Sequence, residues 1–491
     1  MTLHRLHNLL FWILLACFLV TTGSVLFFTF GYRFSFERGI FVYTGSITIK
    51  SNPRDVRIFL DGKPFPGNRV SEVNRTLHIT GLRPGTHLLR VEADGFRSWE
   101  KKVSVQSGVS TEFWNIILPR ESYERTAILE GGLLEAFFSP REHRFAVATE
   151  ENGMTRILIL DRDSEKVEMV FESDDLRFDH ESAENIEWAP DGDKLLVPFQ
   201  DHDGIRTVLL IDLRTLRATD WREEADSPEL HAARWDPTDN QAFFALSEGH
   251  LLRIVPEERD TGKRISIVHE RVATYDLSGW TVYFAESGSD TVFRATLGGQ
   301  TFESESLPTT IPGLGTFTAP KISVYDQKRI ALHDEGGKGY LINDDGGFEP
   351  KLLRLGDGVR GVQFSDDGKK LLFFSDNEIS VVFIREWEMQ PARENGEIVQ
   401  VARFSSPVFH PKWSRDYEHV LFSEGHEMRI AELDHRDRRN IVTVDAFKTT
   451  DTVTQLLPDF EEDRIYALSR DETGKATLSF IRFPEPVGFF E

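Results

Sequence analysis

The order of apolar and polar positions divides this chain into three parts. Leu9 to Phe30 read LLFWILLACFLVTTGSVLFFTF, 22 positions without a charge. A helix of that length, rising about 1.5 Å per residue, spans the roughly 30 Å hydrocarbon core of a bilayer. From residue 44 the pattern changes to short alternating runs. These are SITIKS (Ser46–Ser51), VRIFLDG (Val56–Gly62), RTLHITGL (Arg75–Leu82), HLLRVEADGF (His87–Phe96) and WEKKVSVQSG (Trp99–Gly108). A sixth, TEFWNIIL (Thr111–Leu118), is more continuously apolar. Period-two alternation bounded by Gly, Pro, Asn and Asp predicts half-buried antiparallel strands. Asp61-Gly62, Pro84-Gly85 and Asp94-Gly95 read as turns. So many strands in so short a stretch predict a small sandwich or barrel.

From residue 122 a unit recurs: an aromatic or apolar anchor, a polar turn, and two apolar strands. The anchors are Phe138, Trp188, Trp235, Tyr275, Tyr325, Phe364, Trp413 and Leu457. Their spacing of about 40–50 residues is that of a four-stranded propeller blade. Each blade has faces it cannot bury alone, so stacking into a closed ring is the stable solution. Arg125–Glu130 precedes the first anchor and is placed to complete the last blade, beside a final strand at Thr477–Phe483. Eight blades are expected. Seven stay open, because the fourth, fifth and eighth repeats are degenerate. The ring is expected to stand independently of the Ser46–Leu118 sandwich.

Two resemblances follow from these residues. SNPRDVRIFLDGKPF and LRPGTHLLRVEADGF resemble a PEGA domain, through Ser51, Pro53, Asp61, Gly62, Leu82, Pro84, Gly85, His87, Gly95 and Phe96. The tetrapeptide that names that family is Pro53-Arg54-Asp55-Val56 here, and a longer segment around Pro66–Asn74 replaces its usual turn. The resemblance implies a surface-exposed module without chemistry of its own. The units Trp188-Ala189-Pro190-Asp191-Gly192 and Phe364-Ser365-Asp366-Asp367-Gly368 resemble the WD-like repeat of TolB-type propellers. The resulting organisation is an all-β ectodomain on one N-terminal transmembrane helix. Residues 1–40 are a cytoplasmic tip and anchor, 44–119 the sandwich, and 122–491 the propeller.

Charge sharpens this division. Residues 1–120 carry 15 Lys and Arg against 8 Asp and Glu, whereas the rest carries 42 against 72. A surface that acidic repels nucleic acid. The single cysteine, Cys17, lies in the apolar run, so no intrachain disulfide forms. Trp12 and Tyr32 suit the membrane interfaces. Two alternatives to the anchor stay open: a signal peptide cut after Gly23, and a lipoprotein signal at Leu14-Leu15-Ala16-Cys17. Flanking charge does not set the orientation. The nature of the folded part favours placing it outside the cell membrane.

The sequence contains no metalloprotease helix motif, phosphate-binding loop or nucleophile elbow. Asp201, Asp203 and Gly204 loosely match a calcium loop, and a plain inter-strand turn is the simpler reading. Asp61, His87 and Asp94 read as structural turn residues, the acidic tips at Asp174-Asp175 and the run Ala392–Glu397 as solvated loops, and Trp188, Trp235 and Trp413 as core. No cofactor is expected. The expected function is that of a membrane-anchored, non-enzymatic cell-envelope scaffold, held through Leu9–Phe30 and recognising an envelope protein or a cell-wall glycan. The alternative is a glycan-active enzyme using paired acidic residues in the propeller channel.

Overall fold

The computed structural model describes the chain except residues 1–2, 30–31, 36–39, 68–69, 74, 140–142, 163, 165, 181–183, 257–263, 298–301, 345–350 and 485–491. Phe30, Arg38 and Asn74 therefore lie outside the described residues. Leu3–Thr29 form one helix. Within it, Asn8–Phe27 is long and apolar enough to cross a membrane, and none of that stretch is buried by the rest of the chain. A two-stranded hairpin, Tyr32–Ser35 with Ile40–Tyr43, follows it. The residue pattern had not predicted this hairpin.

The sandwich has two four-stranded sheets. One is ordered Ser110–Ile117, Gly45–Asn52, Thr76–Leu82, Val70–Val73, and the other Lys63–Pro64, Arg57–Leu60, Gly85–Glu92, Trp99–Val105. Lys63–Pro64 and Val70–Val73 are strands within stretches read from the sequence as turn or loop. A second difference concerns direction. Ser110–Ile117 pairs parallel with Gly45–Asn52, because the chain crosses from one sheet to the other before its last strand. Alternation sets which face a residue occupies and is silent on direction. The core between the sheets is Ile47, Ile49, Ile79, Leu89, Val91, Val103, Phe113 and Ile116 with their neighbours.

The propeller has eight blades, which removes the seven-blade alternative. Their first strands are Leu133–Phe138, Glu187–Trp188, His231–Trp235, Val272–Ser278, Lys321–Asp326, Gly361–Phe364, Val408–Trp413 and Thr452–Asp459. In blade 2 the short strand Arg177–Phe178 shares that edge. First strands of successive blades meet, by direct proximity or by a side-chain hydrogen bond, so they are the strands nearest the axis. Each gap between neighbouring blades, including the gap between blades 8 and 1, is filled by its own apolar cluster. Closure is by strand exchange: Thr126–Gly131 pairs antiparallel with Ala476–Arg482, Leu129 opposite Leu478.

The anchors do more than fill the core. Trp188 Nε1 donates to the Phe137 carbonyl (3.2 Å), Trp235 Nε1 to Glu187 O (3.1 Å) and Trp413 Nε1 to Gln363 O (3.1 Å). The Tyr275 hydroxyl donates to Ala232 O. Each bond reaches back to the first strand of the preceding blade. An apolar ring that must also satisfy one N–H or O–H is well used here. Replacing Trp413 with Phe is expected to lower stability by roughly 1–3 kcal/mol, from the lost bond and the lost volume. A fall in the thermal midpoint that Trp413→Leu exceeds would bear this out, and an unchanged midpoint would refute the tie.

Candidate functional site at the propeller axis and the sandwich seam

One residue on each first strand sits at the same register level near the axis. Phe137 and Leu457 are apolar, and Ser323 and Gln363 are neutral and polar. Glu187, Arg234, Asp276 and Lys412 are charged. On blades 2 to 4 the charges are engaged. Arg234 is ion-paired with Glu187, which raises the guanidinium above its usual range. Burial pushes the Glu187 carboxyl up, but a guanidinium keeps its proton and holds the pair ionic. Asp276 accepts from Val324 N (2.7 Å) and Leu277 N (2.9 Å), and Glu184 accepts from Ala232 N (2.7 Å). Glu184 and Asp276 thus bridge to backbone of the following blade and act as ties.

Glu135 on blade 1 and Lys412 on blade 7 differ from these. Neither has a hydrogen-bond or ion-pair partner among the described residues. Burial alone pushes Glu135 up to about 7 and pulls Lys412 down. Both keep some contact with solvent while protein flanks them. Close to Lys412, burial and its ammonium bring His410 down to about 4.

Asp201 and Asp203 occupy a turn. Asp201 accepts from the backbone N–H groups of Asp203 (3.0 Å) and Ile205 (2.9 Å), and its other oxygen takes Arg222 (2.6 Å). Its carboxylate is thus already committed. Among the described residues no three His, Cys, Asp or Glu gather as metal ligands. His87 hydrogen-bonds to Asp61 Oδ2 (2.8 Å) and to Arg83 O (2.8 Å), closing the turn before its strand.

The seam between sandwich and propeller corrects the expectation of independence. Alternating antiparallel strands put first-to-second turns and third-to-fourth loops on one face, and the sandwich docks on that face at blades 6 and 7. Lys101, fully buried, donates to Glu432 Oε1 (2.8 Å) and to Asp434 O (2.6 Å). Trp99 Nε1 reaches Glu432 Oε2 (2.9 Å). Arg436 donates to Glu112 O (2.7 Å) and lies 4.1 Å from the Phe113 ring centre. Gln390 bridges Glu112 N (3.1 Å) and Ser110 O (3.0 Å). Lys370, also fully buried, donates to Tyr417 O (2.9 Å) and Glu418 (2.5 Å) beneath the Trp387 ring. Beside the seam a cleft of about 520 Å³ opens between Lys50, Arg54 and Arg75 of the sandwich and Arg415 of blade 7.

His419 joins this network through Asp416 (2.7 Å). Burial pulls its pKa down, but Asp416, with Glu432 and Glu418, outweighs burial and holds it above the ordinary 6.5. Lys370 is the nearby cation. A raised folded-state pKa means that the charged histidine contributes its full stabilisation below about pH 6.5 and loses it as pH rises through the folded value. Asp416 is held below its ordinary 3.8, so its share is present above that value and fades only in stronger acid. The stability difference between wild type and His419→Gln should therefore be largest near pH 5–6 and shrink toward pH 8. A difference that grows with pH would exclude a charged His419.

Comparison with known proteins agrees with these shapes. Residues 44–117 match the PEGA domain. No curated protein matches the chain's sequence. Solved structures similar to it include the Dos1 propeller, at 11% identity over 75% of this chain and 97% of that one, TM-score 0.49. The WD40 domain of SCAP from fission yeast is 12% identical over 74% of this chain and 99% of that one, TM-score 0.44. BamB from Moraxella catarrhalis is 10% identical over 73% and 98%, TM-score 0.41. At these identities the likeness concerns the fold alone, and the eight-blade assignment rests on the strand pairing above. The class is thus a PEGA domain joined to an eight-bladed propeller, behind an apolar helix of membrane-spanning length.

Proposed function

We propose that the chain is a membrane-tethered binding or scaffold protein of the cell envelope, presenting its propeller to a macromolecular partner. One observation carries this reading. The sandwich locks onto one face of the ring through Lys101, Trp99 and Arg436, and leaves the opposite face, with its mouth of the channel, clear of the tethered side. The exposed apolar helix supports a tether. The acidic residues on the inner strands of blades 2 to 4 support binding over catalysis, because they already serve as ties between blades. A glycan-active centre needs two facing, available carboxylates, and Glu135 is the carboxylate at the axis without such a tie. The partner is an envelope protein, with a cell-wall glycan as the second candidate ligand.

Four measurements test this. Full-length protein should stay with membranes through carbonate extraction, and protease added to cells with opened outer barriers should reach the propeller. Release by carbonate, or protection until lysis, would remove the tether or its orientation. The detergent-solubilised full chain should capture a defined component from envelope extract, and turnover of envelope glycan abolished by Glu135→Gln would favour the enzyme instead.

A further inference from the structure

On the free face, between blades 6 and 7, lies a groove of about 670 Å³ that reaches the first strands of both blades. Its walls are apolar, from Val362, Phe374 and Phe409. The tip of the Phe374 ring presses on Gly361, where a Cβ would come within 2.6 Å of it, so glycine shapes this wall. Phe409 is 42% exposed at the rim. At the inner end the first strand of blade 7 is bulged: Phe409 pairs with Ser423 and Lys412 with Leu421, so His410 and Pro411 stand opposite Phe422 alone. His410 sits at φ 52° within that bulge, a conformation that non-glycine residues rarely adopt and that often marks a site. Bulges re-aim side chains, and this one brings His410 and Lys412 together at the groove.

The charges around the groove are unbalanced. Arg360 at the rim is satisfied by Asp376 (2.9 Å). Lys412 is not satisfied. Its counterpart across the ring on blade 3, Arg234, has Glu187, whereas Lys412 has no anionic partner among the described residues. An ammonium held among protein atoms without a counter-charge is costly, and an incoming carboxylate would offset that cost.

We propose that this groove binds an apolar peptide segment of a partner protein that carries a carboxylate, with Lys412 taking the carboxylate and Val362, Phe374 and Phe409 taking the flanking side chains. The inference rests on the binding-protein reading and names the partner's chemistry. A groove of this size is within the range that holds a compact ligand, and its opening on the face away from the sandwich leaves room for a chain to continue outward. Binding should raise the Lys412 pKa, so it takes up protons in the pH range where the free amine is partly neutral.

The test uses full-length protein in detergent and a fluorescein-labelled pentapeptide, Gly-Gly-Val-Leu-Phe, as the free acid, as the C-terminal amide, and as an amide with glutamate replacing the second glycine. The acid or the glutamate amide should bind at least tenfold more tightly than the plain amide, and which of the two does so locates the carboxylate at a chain end or on a side chain. Lys412→Met, checked for an unchanged melting curve, should remove that preference, and Lys412→Arg should keep part of it. Phe409→Ala should weaken all peptides alike. Equal binding of acid and amide, no binding at millimolar peptide, or a preference that survives Lys412→Met would overturn the proposal. So would octanoate binding where no peptide does, because the site would then take small acids. An envelope component captured equally by wild type and Lys412→Met would overturn the groove while leaving the scaffold reading intact.

Discussion

Lys101→Met should undock the sandwich from the propeller. Lys101 is a lysine without solvent contact, and its ammonium is the cation shared by Glu432 and Asp434. Asp434 retains Arg436 (2.6 Å). Glu432 keeps hydrogen bonds from the neutral donors Trp99 Nε1 (2.9 Å) and Asn440 (2.7 and 2.9 Å), and beyond them only the longer-range attraction of His419 and Arg439 among the described residues. Removing one partner of a buried pair strands the other and costs about 3–5 kcal/mol. Methionine fills most of the lysine's volume, so the loss is mainly electrostatic and leaves the apolar side chains of the sandwich core in place. Limited proteolysis should then cut faster between residues 118 and 126, the largely exposed connection between the two domains. Lys101→Met with Glu432→Gln should recover a large part of the loss, because two neutral groups no longer leave a bare charge. Strictly additive effects of the two substitutions would mean that the pair is not coupled.

Deleting Arg125–Glu130 is expected to have a larger effect. Thr126–Gly131 is the outer strand of blade 8, held by a ladder to Ala476–Arg482 and by the Lys475–Glu130 ion pair. Arg125 also clamps blade 7, donating to Asp445 (2.6 Å) over the Phe447 ring. About five ladder bonds at roughly 1 kcal/mol each are lost, along with apolar burial around Ile128 and Leu129. A loss on the order of 5 kcal/mol lowers the melting temperature of a domain this large by roughly 5–8 °C. The bared edge of Ala476–Arg482 then invites pairing with other chains. Closing a loop of some 350 residues adds little entropy beyond a shorter one, since that cost grows only logarithmically. A peptide spanning residues 125–131 added in trans should restore solubility. A deletion variant that melts like wild type would show that strand exchange does not hold the ring.

The ring was legible in the sequence because its cause is local. Each anchor, turn and strand pair has a recognisable pattern, and eight patterns that each leave faces unburied have one economical arrangement. The closing strand was legible for the same reason: Arg125–Glu130 alternates, precedes the first anchor, and has no blade of its own. Part of the seam was also written in the residues. Trp99, Lys101, Val103 and Val105 share the inward phase of one strand, so a lysine stands where alternation calls for an apolar residue, and a buried lysine requires an anion. The sequence does not say which anion. Glu432 and Asp434 lie more than 300 positions away among 80 acidic residues, and only the docked arrangement selects them.

The axis was decided by tertiary structure in the same way. Glu187, Asp276 and Lys412 look alike in sequence, as charged residues beside an anchor. Whether each is a tie or a vacancy depends on what the next blade places against it. Arg234 comes to Glu187 and the Val324 amide to Asp276, while Lys412 receives no such partner among the described residues. Patterning along a chain fixes which face a side chain occupies, because side-chain direction repeats with the local backbone geometry. Pairing between blades depends on register across a closed ring, and no local rule carries that register from one blade to the next.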